Sequence, residues 1–241
     1  MPQMSVPIRY TSLLFCVLSI QVPTALGAKE KAEELGRGVA AVRSDKGVFL
    51  SWRLLTSDPY DVAFNVYKRD QGKQVRLNEQ PISDSTNFVD VGVTGPQRST
   101  VEYRVCAVVE GRELASSEPV QVWDRCLEIP IQVIDGYRAG DASVGDLDGD
   151  GDYEIVLHQV SSPRDNSHEG LTGAPILDAY KLDGTHLWRI NLGPNIREGE
   201  HYTQFMVYDL DGDGCAEVAC KTADGSIDGS GQVIGDSSKD Y

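Results

Sequence analysis

Two stretches of the chain carry acidic residues at a spacing suited to a hard cation. Residues 145–159 read GDLDGDGDYEIVLHQ and residues 208–222 read YDLDGDGCAEVACKT. In the first, Asp146, Asp148 and Asp150 alternate, Gly151 follows, and Asp152 and Glu154 complete a run of nine positions. The second puts Asp209, Asp211, Asp213, Gly214, Cys215 and Glu217 in the same places. Carboxylates at positions one, three and five converge on one point only if the backbone curls tightly, and glycine at six permits that turn. The residue at seven, Asp152 or Cys215, then offers its backbone carbonyl, and the glutamate at nine closes the shell. Calcium takes roughly six to eight such oxygens at about 2.3–2.6 Å. An EF-hand shares the first half of the pattern but needs a glutamate at position twelve and flanking helices. Position twelve is Leu157 in one loop and Cys220 in the other, and YEIVLHQ and AEVACKT are strands by composition. The sequence therefore predicts two calcium loops between β-strands.

Other polar groups lie around them. Asp141, in GDASVGD, precedes the first loop by five residues and is a candidate further ligand. Asp224 and Asp228, with Lys221 and Thr222 in KTADGSIDG, suggest another calcium site. His201, Tyr202 and Gln204, in EGEHYTQF, form a polar–aromatic group that either meets a sugar or leaves His201 as a satisfied core histidine. The run SSPRDNSHEG, which contains Asp165, Asn166, His168 and Glu169, reads as a solvated loop.

The elements that must position these groups are β-strands. The two loops lie 63 residues apart (209 − 146), and several short strands per unit at such a period indicate propeller blades. ILDAYKLDGTHLWRINLG, residues 176–193, is a hairpin with Asp183-Gly184 in its turn. The preceding region has a different texture. GVFLSWRLL, VAFNVYKR, NFVDVG and TVEYRVCAVVEG are short β-runs separated by Gly, Pro and Asp turns, the signature of a sandwich. In the last run Val101, Tyr103, Val105, Ala107 and Val109 share one face. Trp52 and Tyr103 resemble the core aromatics of fibronectin type III modules. The expected organisation is a signal peptide at 1–27, a lead-in at 28–37, a β-sandwich at 38–125 and a partial β-propeller of about two blades at 130–241. Propellers close with roughly four to eight blades, so the sequence reads as the N-terminal piece of a longer protein.

The first residues combine Arg9, a short apolar stretch from Leu13 to Val22, and the small residues Ala25 and Gly27. That is a cleavable secretory signal, too short to span a bilayer, which needs about 20 apolar residues. A secreted, extracellular or periplasmic location is expected, where calcium is abundant. The formal net charge is −15, from 37 acids against 22 bases. This argues against a nucleic-acid partner, and the acidity serves either solubility or bound cations. No C-x-x-C pair supports a zinc ribbon. After signal removal Cys106, Cys126, Cys215 and Cys220 remain, and pairing of Cys106 with Cys126 or Cys215 with Cys220 stays open beside free thiols.

GDASVGDLDGDGDYEIVL, LDAYKLDGTHLWRINLGPNIREGEHYTQFMVYDLDGDG and AEVACKTADGS closely resemble the rhamnogalacturonan lyases of polysaccharide lyase family eleven. GRGVAAV, VFLSWRLL and FNVYKR are similar to the N-terminal β-sheet domain of that family. The resemblance covers nearly all of residues 36–241. It implies an all-β protein with a fibronectin-like sandwich and an eight-bladed, calcium-rich propeller. It also implies β-elimination at the rhamnose–galacturonate bond of pectic rhamnogalacturonan I, and a monomer is expected. Elimination removes the proton on carbon five of the uronate, which a cation near the carboxylate favours and a basic side chain accepts. The catalytic base is expected beyond Tyr241, so residues 1–241 alone are expected to be inactive. The chain departs from the family at His158-Gln159-Val160, where Lys-Trp-Asp is usual, and at Gly140, where asparagine is frequent. A non-catalytic calcium-dependent propeller, adhesive or carbohydrate-binding, is the alternative, and a pseudoenzyme is a third reading.

Overall fold

A computed structural model of the chain describes residues 33–93, 101–164, 167–199 and 203–241. The expected signal peptide, residues 28–32 of the lead-in, and Asp165, Asn166, His201 and Tyr202 lie outside the described residues. No helix occurs among the described residues, and sixteen strands account for the regular structure.

The first half forms two antiparallel sheets. One contains β1 (Ala40–Ser44), β2 (Gly47–Ser51) and β5 (Asn87–Asp90) in the order β1-β2-β5. The other runs β4 (Lys73–Arg76), β3 (Ala63–Asp70), β6 (Glu102–Val109), β7 (Arg112–Ser116), with β8 (Val120–Gln121) also paired to β6. Alternation of apolar and polar residues gives each sheet one dry face. Ala41, Val48 and Leu50 from one sheet meet Phe64, Val66, Tyr103, Val105 and Ala107 from the other in a single core, which makes this region a β-sandwich. Each aliphatic side chain removed from water contributes about 1.5–3 kcal/mol. Tyr103 is fully buried, and its hydroxyl donates to Asp90 Oδ2 at 2.8 Å, where Lys68 Nζ also arrives at 2.7 Å. The run GVFLSWRLL is strand only as far as Ser51. Beyond it Arg53 N turns to Arg37 O at 2.8 Å and Leu55 N is taken by Asp58 Oδ2 at 2.7 Å, so the ladder ends.

The second half is built on a meander: β9 (Arg138–Gly145), β10 (Glu154–Val160), β11 (Ile176–Tyr180) and β12 (His186–Asn191), all antiparallel. β15 (Ser226–Ile227) and β16 (Val233–Ile234) extend this sheet beyond β12. A separate pair, β13 (Phe205–Tyr208) and β14 (Glu217–Cys220), lies against it. Val156 and Leu177 of the meander share a core with Val207 of β13 and Ala216 beside β14. The Asp183-Gly184 turn joins β11 to β12 as the sequence predicts, with Lys181 N donating to Thr185 O and Gly184 N to Lys181 O, both at 2.9 Å. Cys106, Cys126, Cys215 and Cys220 are all free thiols, so neither pairing forms.

Candidate metal centre and adjoining cleft

The acidic loops occupy equivalent places, one between β9 and β10 and the other between β13 and β14. Their internal bonding repeats group for group. Asp146 Oδ1 accepts from Gly149 N at 2.7 Å and Asp150 N at 3.1 Å, while its Oδ2 accepts from Gly151 N at 2.9 Å. In the second loop Asp209 Oδ1 accepts from Gly212 N at 2.7 Å and Asp213 N at 3.2 Å, and its Oδ2 from Gly214 N at 3.0 Å. The glutamate at nine reaches back to position two: Leu147 N donates to Glu154 Oε2 at 2.8 Å and Leu210 N to Glu217 Oε2 at 2.7 Å. These bonds curl the loop, and glycine is required where φ is positive. Gly151 and Gly214 have φ of 89° and 100°, and position four, Gly149 and Gly212, needs the same freedom at 74° and 76°.

The curl brings carboxylates together. Oxygens of Asp209, Asp211, Asp213 and Glu217 lie within 4.8 Å of one another, and so do those of Asp146, Asp148 and Glu154. An all-oxygen donor set of this density fits calcium rather than a thiolate-seeking or imidazole-seeking metal. Asp146 and Glu154 are each 1% exposed, and burial, reinforced by the adjacent Asp148, pushes the Glu154 carboxyl up.

Not every predicted ligand joins a cluster. Asp150 lies outside the first cluster and pairs with Lys181, whose Nζ lies 2.8 Å from Asp150 Oδ2 and 2.6 Å from Asp148 Oδ2. The ammonium, helped by the Asp152 N–H, holds Asp150 below the usual carboxylate range. The Asp152 side chain is exposed, and Cys215 is half-buried at position seven, its thiol pushed up by burial and by Asp213, Asp146 and Asp209. Asp224 and Asp228 stand apart from both clusters. Asp224 Oδ1 accepts from Asp236 N at 2.8 Å, and Asp228 Oδ1 caps a turn through Ser230 N and Gln232 N, both at 2.9 Å. The two loops touch each other, with Ala216 N donating to Asp146 O at 2.7 Å.

Asp141 lies on β9 and lines an open cleft of about 850 Å³ with Ser143, Gln204, Met206 and Lys221. The cleft gathers a carboxylate, a hydroxyl, an amide and an ammonium, a set able to grip an anionic sugar. Lys221 belongs to this cleft rather than to an oxygen cluster, and the run KTADGSIDG alone gave no sign of that.

A second polar centre lacks any sequence motif. Asp178, on β11 and with its side chain fully buried, receives Arg189 Nε at 2.7 Å and Nη2 at 2.9 Å, and His186 Nε2 approaches to 3.1 Å. Burial opposes its ionisation, yet Arg189 and His186 hold its carboxyl below the usual range. Gln159 Nε2 donates to Asp178 and, at 2.8 Å, to Gln132 O, while its Oε1 accepts from Ile134 N at 2.9 Å. Gln159 thus ties the 132–134 segment to β10 and β11.

The fold and the paired loops match one family along nearly the whole chain. Residues 130–241 match the family model "Rhamnogalacturonan lyase family 11, C-terminal domain", and residues 30–123 match "Rhamnogalacturonan I lyases beta-sheet domain". The chain belongs to the family 11 rhamnogalacturonan lyases. It is similar to the rhamnogalacturonan exolyase YesX of Bacillus subtilis (strain 168), at 50% identity over 88% of this chain and 36% of that protein. It is equally similar to the rhamnogalacturonan endolyase YesW of the same organism, at 50% over 95% of this chain and 37% of that protein. Among solved structures, exotype YesX superposes with a TM-score of 0.77 at 51% identity, over 88% of this chain and 36% of that one. The Bacillus licheniformis rhamnogalacturonan lyase PL11 superposes at 0.75 and 52% identity, over 88% and 37%. The chain therefore spans a little over a third of the length of these relatives.

Proposed function

We propose that the protein is a secreted lyase that cleaves the rhamnose–galacturonate backbone of rhamnogalacturonan I by β-elimination, with calcium held in the two acidic loops. One observation carries the reading: 50% identity, over 88% and 95% of the chain, to two rhamnogalacturonan lyases. The meander β9–β12 is the first blade of a propeller that has eight in the family, and β13–β14 opens the second. Residues 38–125 are the accessory sandwich domain, and residues 130–241 are the partial propeller.

Asp146, Asp148 and Glu154 would hold one calcium, and Asp209, Asp211, Asp213 and Glu217 another. Bound there, calcium supplies a fixed positive charge that offsets the clustered acids. The residues of the cleft supply the rest. Lys221 offers an ammonium to the uronate carboxylate, Asp141 and Gln204 bond sugar hydroxyls, and the polar walls exchange with water in the absence of substrate. His201 and Tyr202 adjoin this cleft in sequence and are proposed as sugar contacts. The general base is assigned to the remainder of a polypeptide of the relatives' length.

The test is the ultraviolet absorbance of unsaturated uronate released from rhamnogalacturonan I. A polypeptide extended to the relatives' length is expected to form it, and residues 1–241 alone are expected not to. Absence of product from the extended polypeptide would exclude the lyase reading.

A further inference from the structure

The two acidic loops agree in their backbone bonding but differ in one respect. The second gathers four carboxylates, including the aspartate at position five. The first gathers three, Asp146, Asp148 and Glu154, and Lys181 pairs both with Asp148 of that cluster and with the position-five residue, Asp150, outside it. Lys181 Nζ stands 2.6 Å from Asp148 Oδ2, 2.8 Å from Asp150 Oδ2 and 3.8 Å from Glu154 Oε1. An ammonium so placed touches the groups at positions three, five and nine, the ones through which a divalent cation would be bound. No ion pair among the described residues engages Asp209, Asp211, Asp213 or Glu217.

Position 181 is fixed by the fold rather than by chance contact. Lys181 follows the last residue of β11, and its N–H is tied to Thr185 O at 2.9 Å across the tight turn that leads into β12. β11 pairs with β10 in register, Ile155 against Tyr180, so the start of the turn sits beside the end of the loop at Glu154. The lysine stem needs only to lie along that edge for its head to enter the carboxylate cluster. The side chain is 31% exposed, which leaves it a path to swing out into water.

We propose that Lys181 is a tethered counter-ion of the first loop, which calcium must displace, so that the first loop binds calcium more weakly than the second and fills after it. The proposal rests on the calcium reading of the loops and adds an order of filling to it. At low calcium the ammonium neutralises Asp148 and Asp150 and keeps the loop folded. At high calcium the divalent ion takes those oxygens, Asp150 rejoins the shell, and Lys181 moves to solvent. The second loop has no such substitute, so its four carboxylates repel one another until calcium arrives.

Calorimetric calcium titration of chelator-stripped protein carrying D209N and D211N reports on the first loop, and adding D148N must abolish that heat. In this background K181M is expected to tighten binding roughly threefold to tenfold, the equivalent of removing one or two exposed ion pairs, while K181R stays near the starting value. Thermal unfolding gives a second reading: K181M should melt below the parent in chelator and at or above it in saturating calcium. Binding that is unchanged or weaker in K181M, with the second loop still binding in a protein carrying D148N alone, would overturn the role of Lys181 alone. No calcium heat in any variant, including the one with both loops intact, would remove the calcium reading itself.

Discussion

Burial strips His158 of water, and its Nε2 has no hydrogen-bond partner among the described residues, the Glu198 carboxylate standing 3.8 Å away. Desolvation lowers its pKa from the ordinary 6.5, with Arg138 acting the same way and Glu198 and Asp141 opposing. A histidine with a depressed folded pKa is protonated first in the unfolded chain. The folded state therefore loses stability as pH falls below 6.5 toward the folded pKa, and regains it on return. H158L should remove that dependence. Between about pH 7 and about pH 5 the parent is expected to lose stability relative to H158L in urea unfolding, and parallel pH profiles would contradict it. Glu198 should remain seated in the variant, since Ser161 N, Ser161 Oγ and Ser162 N all donate to it at 2.7–2.9 Å. The tripeptide His158-Gln159-Val160 stood out in the sequence as a departure, but its roles could not be read there. Which of the three side chains enters the sheet depends on the bulge between Leu157 and Gln159, where β10 slips against β9.

That bulge also joins the two departures at the level of strands. A Cβ on Gly140 would lie 2.3 Å from Val160 Cγ2 and 2.9 Å from His158 O. The Val160 side chain fills the place of a residue-140 side chain, so the two positions are coupled. G140A should cost about 1–3 kcal/mol of stability by overpacking, and V160A in the same background should recover part of it. Additive losses in the double variant would argue against the coupling. The Asp178 centre acts across the same strands. Removing its main partner with R189L leaves a buried charge with only histidine and amide support, expected to cost about 2–4 kcal/mol in denaturant unfolding. The acidic loops were legible because glycine and aspartate at fixed spacing encode a local backbone path. The Asp178 centre was not, because it assembles from β10, β11 and β12 only once register is set. Lys181 falls between these cases. Its turn was predicted, but the charge it carries to the loop depends on how the hairpin packs.

Across the described molecule, the first acidic loop is also where the sandwich meets the second half. Gly36 N donates to Gly151 O at 2.7 Å, and Asp146 N approaches Glu33 Oε1 at 3.4 Å. Arg53, just beyond β2, holds Gly36 O at 3.2 Å and stacks its guanidinium 4.1 Å over the Tyr153 ring. A cation–π contact of this kind contributes about 0.5–2 kcal/mol. R53A should loosen the 33–38 segment, and trypsin cleavage after Arg37 should quicken by roughly threefold to tenfold without loss of the folded core. An unchanged rate would show that the remaining contacts suffice. The strand content of both halves was visible from alternation and turn residues, whereas this junction was invisible, since nothing in the lead-in's charged composition points to a loop more than a hundred residues away.

DLDGDG at 146–151 and 209–214 is proposed to encode two cation cages at the starts of β10 and β14. Anomalous scattering from crystals grown in calcium tests it most directly. A peak is expected among the carboxylates of Asp209, Asp211, Asp213 and Glu217, with oxygens at about 2.3–2.6 Å, and a second among Asp146, Asp148 and Glu154. Ordered water alone at both places, at millimolar calcium, would contradict it.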